Sequence, residues 1–168
     1  MSLTKYKQKR NLKSSQEPPA TASDFVVAKK TKESIIRVRG REGKPSSKKL
    51  IFVIHRHEAS HLHWDLRLEM LGVLKSWAVP KEPPTTKGEK RLAIQVEDHP
   101  LAYANFKGII PEGNYGAGKV EIWDKGNYEL IEKSPTKIEF ILRGKKLKGK
   151  HLLVKTNYAK NSWLWMKV

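Results

Sequence analysis

From Leu50 onward the chain is a succession of short apolar-alternating runs, each too short to bury a face by itself, separated by turn chemistry. The runs fall at 50–57, 63–70, 73–79, 92–97, 119–124, 127–132, 137–142, 149–156 and 161–168. Between them stand Gly72, the proline-rich 80–84 stretch, Gly113-Asn114, Lys125-Gly126 and Arg143-Gly144. No convincing amphipathic helix and no internal repeat interrupts the pattern. Many short strands with Gly/Pro turns must close on one another, so the expected fold is all-β, a barrel or a sandwich rather than an α/β sheet.

Residues 1–49 read differently, as a basic, partly ordered arm ahead of a single domain over 50–168. Pro18, Pro19, Pro45 and Ser/Lys clusters punctuate the arm, and only Phe25–Val27 and Ile35–Arg39 suggest short paired strands. The chain carries a formal charge of +17. Residues 1–50 hold 14 Lys/Arg against 4 Asp/Glu, so most of the excess lies in the arm. That distribution suits electrostatic docking on a polyanion, nucleic acid above all. The absence of cysteine excludes disulfides and thiolate metal sites. No run reaches the roughly 18 apolar residues of a membrane span, and no apolar segment follows the basic N-terminus as a secretory signal requires. An intracellular, cytoplasmic and nucleoid-associated protein is therefore expected, without a membrane partner.

The chemistry gathers in His55–Met70, where four of six histidines fall within nine residues. If 63–70 is a strand, Trp64, Leu66, Leu68 and Met70 share an apolar face and His63, Asp65, Arg67 and Glu69 the opposite one. The preceding strand aims His55 and His57 to one side, and a short connection could set the two polar rows next to each other. Two imidazoles and a carboxylate, His57, His63 and Asp65, make a recurring divalent-metal set suited to manganese, zinc or iron. Parity leaves His61 open as a further ligand. Arg67 offers a planar fork that matches phosphate oxygens. Lys81, Arg91 and His99 could each meet phosphate oxygens, and Tyr103 supplies a hydroxyl. The glycines of 108–118 lack phosphate-loop spacing, and the segment reads as a turn-rich loop capping the barrel.

These segments together resemble a known family. His57-Glu-Ala-Ser-His-Leu-His63-Trp-Asp65-Leu-Arg67-Leu-Glu69, Leu74-Lys-Ser-Trp-Ala-Val-Pro-Lys81, Gln95-Val-Glu-Asp-His99-Pro-Leu-Ala-Tyr103 and Ile110-Pro-Glu-Gly-Asn-Tyr-Gly-Ala-Gly118 occur in the order found in the 3′-phosphoesterase domain of bacterial DNA ligase D. With no ligase or polymerase segment beside it, the chain looks like a stand-alone member. The resemblance implies a compact β-barrel with a manganese-dependent site. His57, His63 and Asp65 would hold the metal, and Arg67, His99 and Tyr103 would engage the phosphate. Lys81 and Arg91 match further functional positions, and Arg10 and Glu17 match an arm Arg and Glu that support activity. Asn11 stands where the family pattern carries Asp, and His55 where it carries Gln.

The implied activity removes a 3′-terminal ribonucleoside from a primer strand and then hydrolyses the remaining 3′-phosphate, in DNA repair by end joining. Implied partners are the 3′ ends of DNA or RNA–DNA primer-templates, with a DNA ligase, a polymerase or a Ku-like end-binding protein by association. Two other readings compete. A non-catalytic nucleic-acid-binding barrel would bind without turnover. A cupin-like metal enzyme would offer an apolar small-molecule pocket and little use for Arg67, Lys81 and Arg91.

Overall fold

A computed structural model describes residues 2–24 and 49–168. Nine strands form one antiparallel sheet: β1 (Leu50–Glu58), β2 (Leu62–Met70), β3 (Val73–Val79), β4 (Lys90–His99), β5 (Gly108–Ile110), β6 (Gly118–Lys133), β7 (Lys137–Arg143), β8 (Lys148–Lys155) and β9 (Ser162–Lys167). Their order is β1-β2-β3-β4-β9-β8-β7-β6-β5, and β1 also pairs with β6. That pairing closes eight strands into a barrel and leaves β5 attached outside the ring. The all-β barrel expected from the strand pattern is thus the observed fold. The candidate strands at Phe25–Val27 and Ile35–Arg39 lie outside the described residues.

The barrel interior is packed solid. Phe52, Ile54, Leu66, Leu68, Trp77, Phe140, Leu153 and Trp165 are each no more than 1% exposed and belong to one cluster. Pleating then sends the alternate residues of each strand outward. On β1 and β2 the outward set includes Val53, His55, His57, Asp65 and Arg67, yet these too are buried. A second apolar cluster covers that outer face. It joins Val53, Val73, Leu74, Ile110 and Val120 to Leu3, Tyr6 and Ala20 of the arm and to Tyr103, Ala104 and Phe106.

The arm contributes a helix that periodicity did not reveal. In α1 (Leu3–Lys9) only Leu3 and Tyr6, three positions apart, face inward, while the residues between are exposed. Seven residues with two apolar contacts give too short a repeat to read, and such a helix is held by docking rather than propensity. A second short helix, the 3-10 turn Leu101–Asn105, brings Tyr103 over the same face.

Two runs expected as separate strands, 119–124 and 127–132, are one continuous β6. Gly126 is not a turn. A Cβ there would run into the Arg143 carbonyl, so glycine serves close strand approach where β6 passes from β1 to β7.

Candidate active site

The β1–β2 hairpin sets its two polar rows in direct register. His57 faces His63, His55 faces Asp65, and Val53 faces Arg67 across the ladder. One ligand atom from each of His57, His63 and Asp65 lies within 4.8 Å of the others. His57 Nδ1 is 3.8 Å from one Asp65 oxygen, and His63 Nε2 is 3.7 Å from the other. The far nitrogen of each ring sits against a backbone carbonyl: His57 Nε2 is 2.7 Å from Gly116 O, and His63 Nδ1 is 2.9 Å from His61 O. Carbonyls only accept, so each ring carries its proton on that far nitrogen and turns a lone pair toward Asp65. This is how metal-binding imidazoles are oriented by their outer partners, and the three residues fit a divalent ion.

His61 itself is exposed and stands outside this group, contributing its carbonyl alone. Burial pushes the Asp65 carboxyl up, but the Arg67 charge beside it outweighs this and holds Asp65 below the ordinary carboxylate range.

Arg67 is buried beneath the three ligands. Its Nε donates to His55 Nδ1 at 3.2 Å, Nη1 to Ser76 Oγ at 2.9 Å and Nη2 to Asp65 at 3.0 Å. The guanidinium also lies 4.7 Å over the Tyr103 ring. Three of its five N–H groups are thereby occupied. His55 completes the support: its Nε2 donates to Phe106 O at 3.0 Å while Nδ1 accepts from Arg67. Burial first, then the Arg67 charge, press its pKa down to about 3, so the ring is a neutral strut. A glutamine amide would offer the same acceptor and donor.

The arm enters from the opposite side. Arg10, its side chain 6% exposed, donates from Nε to Glu17 at 2.9 Å and from Nη1 to Glu97 at 2.8 Å, and its Nη2 lies 3.1 Å from His99 Nε2. Tyr103 Oη donates to the same Glu17 oxygen at 3.1 Å. His99 Nδ1 donates to Glu97 O at 3.0 Å, which leaves Nε2 to accept from Arg10. Burial, then Arg67 and Arg10, press the His99 pKa well below its usual value. Tyr103 is pushed well above its ordinary range, chiefly by burial.

Glu97 and His99 reach this face through a register slip. Ala93 points into the barrel, so strict alternation would send 95, 97 and 99 inward. The β3–β4 pairing shifts between Leu74 and Ser76, however, and His99 then pairs with outward-facing Leu74. A bulge re-aims side chains in this way beside many active sites.

The result is a cavity of about 260 Å³ on the barrel's outer face, whose lining includes His57, His63, Asp65, Arg67, His99 and Tyr103 together with Arg10. Glu17 stands behind Tyr103 and Arg10. Lys81 and Arg91 do not line it. Arg91 is spent on the 82–90 loop, donating to Glu82 O, Lys90 O and Glu89, and Lys81 is exposed after β3. Strand parity did not reveal Glu97, Ser76, Gly116, Tyr115 or the supporting part of His55. The loop 111–117, expected as a cap, is also part of the site through the Gly116 carbonyl.

Residues 55–155 match the model of the DNA Ligase D 3'-phosphoesterase domain. The chain is 45% identical over 135 residues to the multifunctional non-homologous end joining protein LigD of Pseudomonas aeruginosa, covering 77% of this chain and 16% of that protein. It is 41% identical over 159 residues to the protein of the same name from Mycobacterium bovis, covering 92% and 18%. With the Mycolicibacterium smegmatis LigD the identity is 47% over 124 residues, or 67% and 16%. The chain thus spans less than a fifth of the length of these relatives. On the matched span and the identities, the chain belongs to the DNA ligase D 3′-phosphoesterase domain family.

Proposed function

We propose that this protein is a divalent-metal-dependent phosphoesterase that processes the 3′ ends of nucleic-acid strands in end-joining repair. It removes a 3′-terminal ribonucleoside from a primer and hydrolyses the remaining 3′-phosphate to a hydroxyl. The observation that carries this reading is the convergence of His57 Nδ1, His63 Nε2 and an ionised Asp65 beside two buried guanidinium groups. A metal ion held there would place positive charge against a phosphoryl oxygen and stabilise charge developing in the transition state. Nitrogen and oxygen donors without thiolate suit manganese, zinc or iron, and the resemblance to the family points to manganese among them.

The chain's own groups divide the remaining work. Among the described residues, two N–H donors of Arg67 have no partner and would serve a phosphate oxygen. Arg10 donates to His99 Nε2 and Glu97 O accepts from its Nδ1, so His99 stands as a neutral ring that orients Arg10 at the cavity. Tyr103 holds Arg67 from below and Glu17 from beside. Lys81, exposed outside the cavity, would meet the strand beyond the scissile phosphate, and Arg91 would support it from the 82–90 loop. The cationic surface would hold the duplex through its phosphates, with salt-dependent affinity.

The relatives are named for non-homologous end joining, which supports a reaction at broken DNA ends inside the cell, at the nucleoid. A ligase, a polymerase or a Ku-like end-binding protein is the natural partner there. The His57–His63–Asp65 group lies on the outer face of a filled barrel, and Arg10, Arg67 and Glu97 share its cavity. A cupin-like reading, with substrate in an apolar pocket, is therefore disfavoured.

The test is a labelled DNA primer ending in one ribonucleotide, annealed to a longer template, with and without manganese. Shortening to a 3′-phosphate and then a 3′-hydroxyl only with metal is expected. Tight binding with no product under any divalent ion would replace this reading with that of a binding module.

A further inference from the structure

Most of the site is built to take a phosphoryl group, and nothing so far accounts for Tyr115. Its ring lines the same cavity as His57, His63 and Asp65 and is 48% exposed. The other tyrosine of the cavity, Tyr103, is 2% exposed. Tyr115 belongs to neither apolar cluster, so the fold does not need its ring for packing.

The ring is nevertheless held in place. The neighbouring Gly116, at φ +77, gives its carbonyl to His57, which ties the loop to the metal-binding residues. Asn114 braces the same loop, donating to Pro111 O at 3.1 Å and accepting from Ser14 Oγ at 2.9 Å. Lys9 Nζ donates to Tyr115 Oη at 3.2 Å and stands 4.6 Å from the ring centroid, and the Arg10 guanidinium lies at 5.3 Å. An aromatic surface fixed at the mouth of a phosphate-binding cavity, flanked by cations and open to solvent, is the arrangement by which proteins hold single nucleotides without reading their identity.

We infer that Tyr115 is the stacking platform for the nucleobase of the 3′-terminal nucleotide whose phosphate enters the His57–His63–Asp65 centre. The inference rests on the phosphoesterase reading for its substrate and adds the element that distinguishes a nucleotide end from a bare sugar phosphate. Stacking is indifferent to which base is present, as processing of arbitrary ends requires.

The experiment compares two manganese-supplemented primer-templates ending in a 3′-phosphate, one with an ordinary terminal nucleoside and one with an abasic terminal sugar. The ratio of kcat/KM between the two ends is measured for the wild type, Tyr115→Ala and Tyr115→Phe. The wild type should favour the base-bearing end by about tenfold, within the range that a single base stack contributes. Tyr115→Ala should bring the ratio near one, mainly through KM, while Tyr115→Phe should keep it, because the ring rather than the Lys9 hydrogen bond carries the effect. An unchanged ratio in Tyr115→Ala overturns the inference.

Binding of a primer with 2-aminopurine at its 3′ terminus gives a second readout. Its fluorescence should be quenched by the wild type and by Tyr115→Phe but not by Tyr115→Ala. If the wild type hydrolyses neither end, the phosphoesterase reading fails. The quenching series then decides the stacking role independently, and equal quenching by all three proteins overturns it.

Discussion

Replacing Arg10 with methionine isolates what the arm contributes. The guanidinium is shared by two carboxylates, Glu17 and Glu97, whose side chains are 1% and 3% exposed. Breaking a buried pair from the cationic side strands the anion and costs about 3–5 kcal/mol. Lys9 also reaches Glu97, at 3.1 Å, and Tyr103 and Ser15 still donate to Glu17, which places the expected loss near the lower end, about 3 kcal/mol. The arm can release this strain by undocking, because Leu3 and Tyr6 are its main apolar anchors and the barrel core is a separate cluster. Local opening then absorbs the loss before global unfolding does.

Hydrogen exchange of the α1 amides should accordingly accelerate about a hundredfold in Arg10→Met, since 1.4 kcal/mol is one decade. Urea unfolding followed by tryptophan fluorescence should change far less. The effect has a defined pH dependence. Burial alone would raise the Glu97 pKa, but the hydrogen bond and charge of Arg10 hold it below its ordinary value. A depressed carboxylate stabilises the fold above its unfolded pKa and ceases to do so as pH falls through its folded value. The difference between wild type and variant should therefore be full at neutral pH and shrink below about pH 4. Acceleration below tenfold at pH 7, or a difference that grows in acid, would refute the pairing as the arm's anchor.

Three other outcomes follow from the geometry. His63→Ala or Asp65→Asn should weaken manganese binding by more than about 100-fold in calorimetry, beyond the cost of losing an outer partner, and unchanged affinity would remove the metal assignment. His55→Gln should keep urea stability within about 1 kcal/mol, because both hydrogen bonds survive, whereas His55→Leu should lose about 3 kcal/mol by stranding Arg67 Nε and the Phe106 carbonyl; equal losses would refute the strut. His151 lies inside the barrel, stacked on Phe140, and neither ring nitrogen has a hydrogen-bond partner among the described residues. Burial presses its pKa down to about 4, so between pH 6.5 and 4 the unfolded chain binds a proton that the folded one refuses. Stability should fall by up to roughly 3 kcal/mol across that window as pH drops, and thermal unfolding of His151→Phe should lack that share of the slope.

What could be read in advance followed the reach of local rules. The faces of the β1–β2 hairpin were legible because a period of two fixes them, so His57, His63, Asp65 and Arg67 fell on one side by spacing, with His61 left open beside them. Glu97 was not legible in this way, because the register shift opposite Leu74–Ser76 reverses parity on β4 and leaves no compositional mark. Gly126 was misleading for a physical reason: glycine serves a turn and a close approach equally well, and only the partner strand decides. β5 has three residues, below the length at which alternation carries information. Resemblance alone pointed to Arg10 and Glu17, since their partners lie 87 and 86 residues away in the chain, at Glu97 and Tyr103.

The position of the site explains why a domain of this size needs its arm. An interior filled by Trp77, Trp165, Phe140 and their neighbours leaves no room for a substrate, so the chemistry must sit on the outside of the barrel. An outer face in contact with water would screen Asp65 and His99 and leave their pKa values near ordinary. Tyr6, Leu3 and the Leu101–Asn105 helix turn that face into a second core. Under that cover a lone guanidinium would be prohibitively desolvated, so Arg10 and Arg67 are each met by a carboxylate, Glu97 with Glu17 in one case and Asp65 in the other. The arm therefore supplies both the cover that lowers the local dielectric and one of the two cations that the cover makes effective. Lifting it should relax His99, which touches Arg10 directly, while the hairpin geometry that β1 and β2 hold by themselves persists.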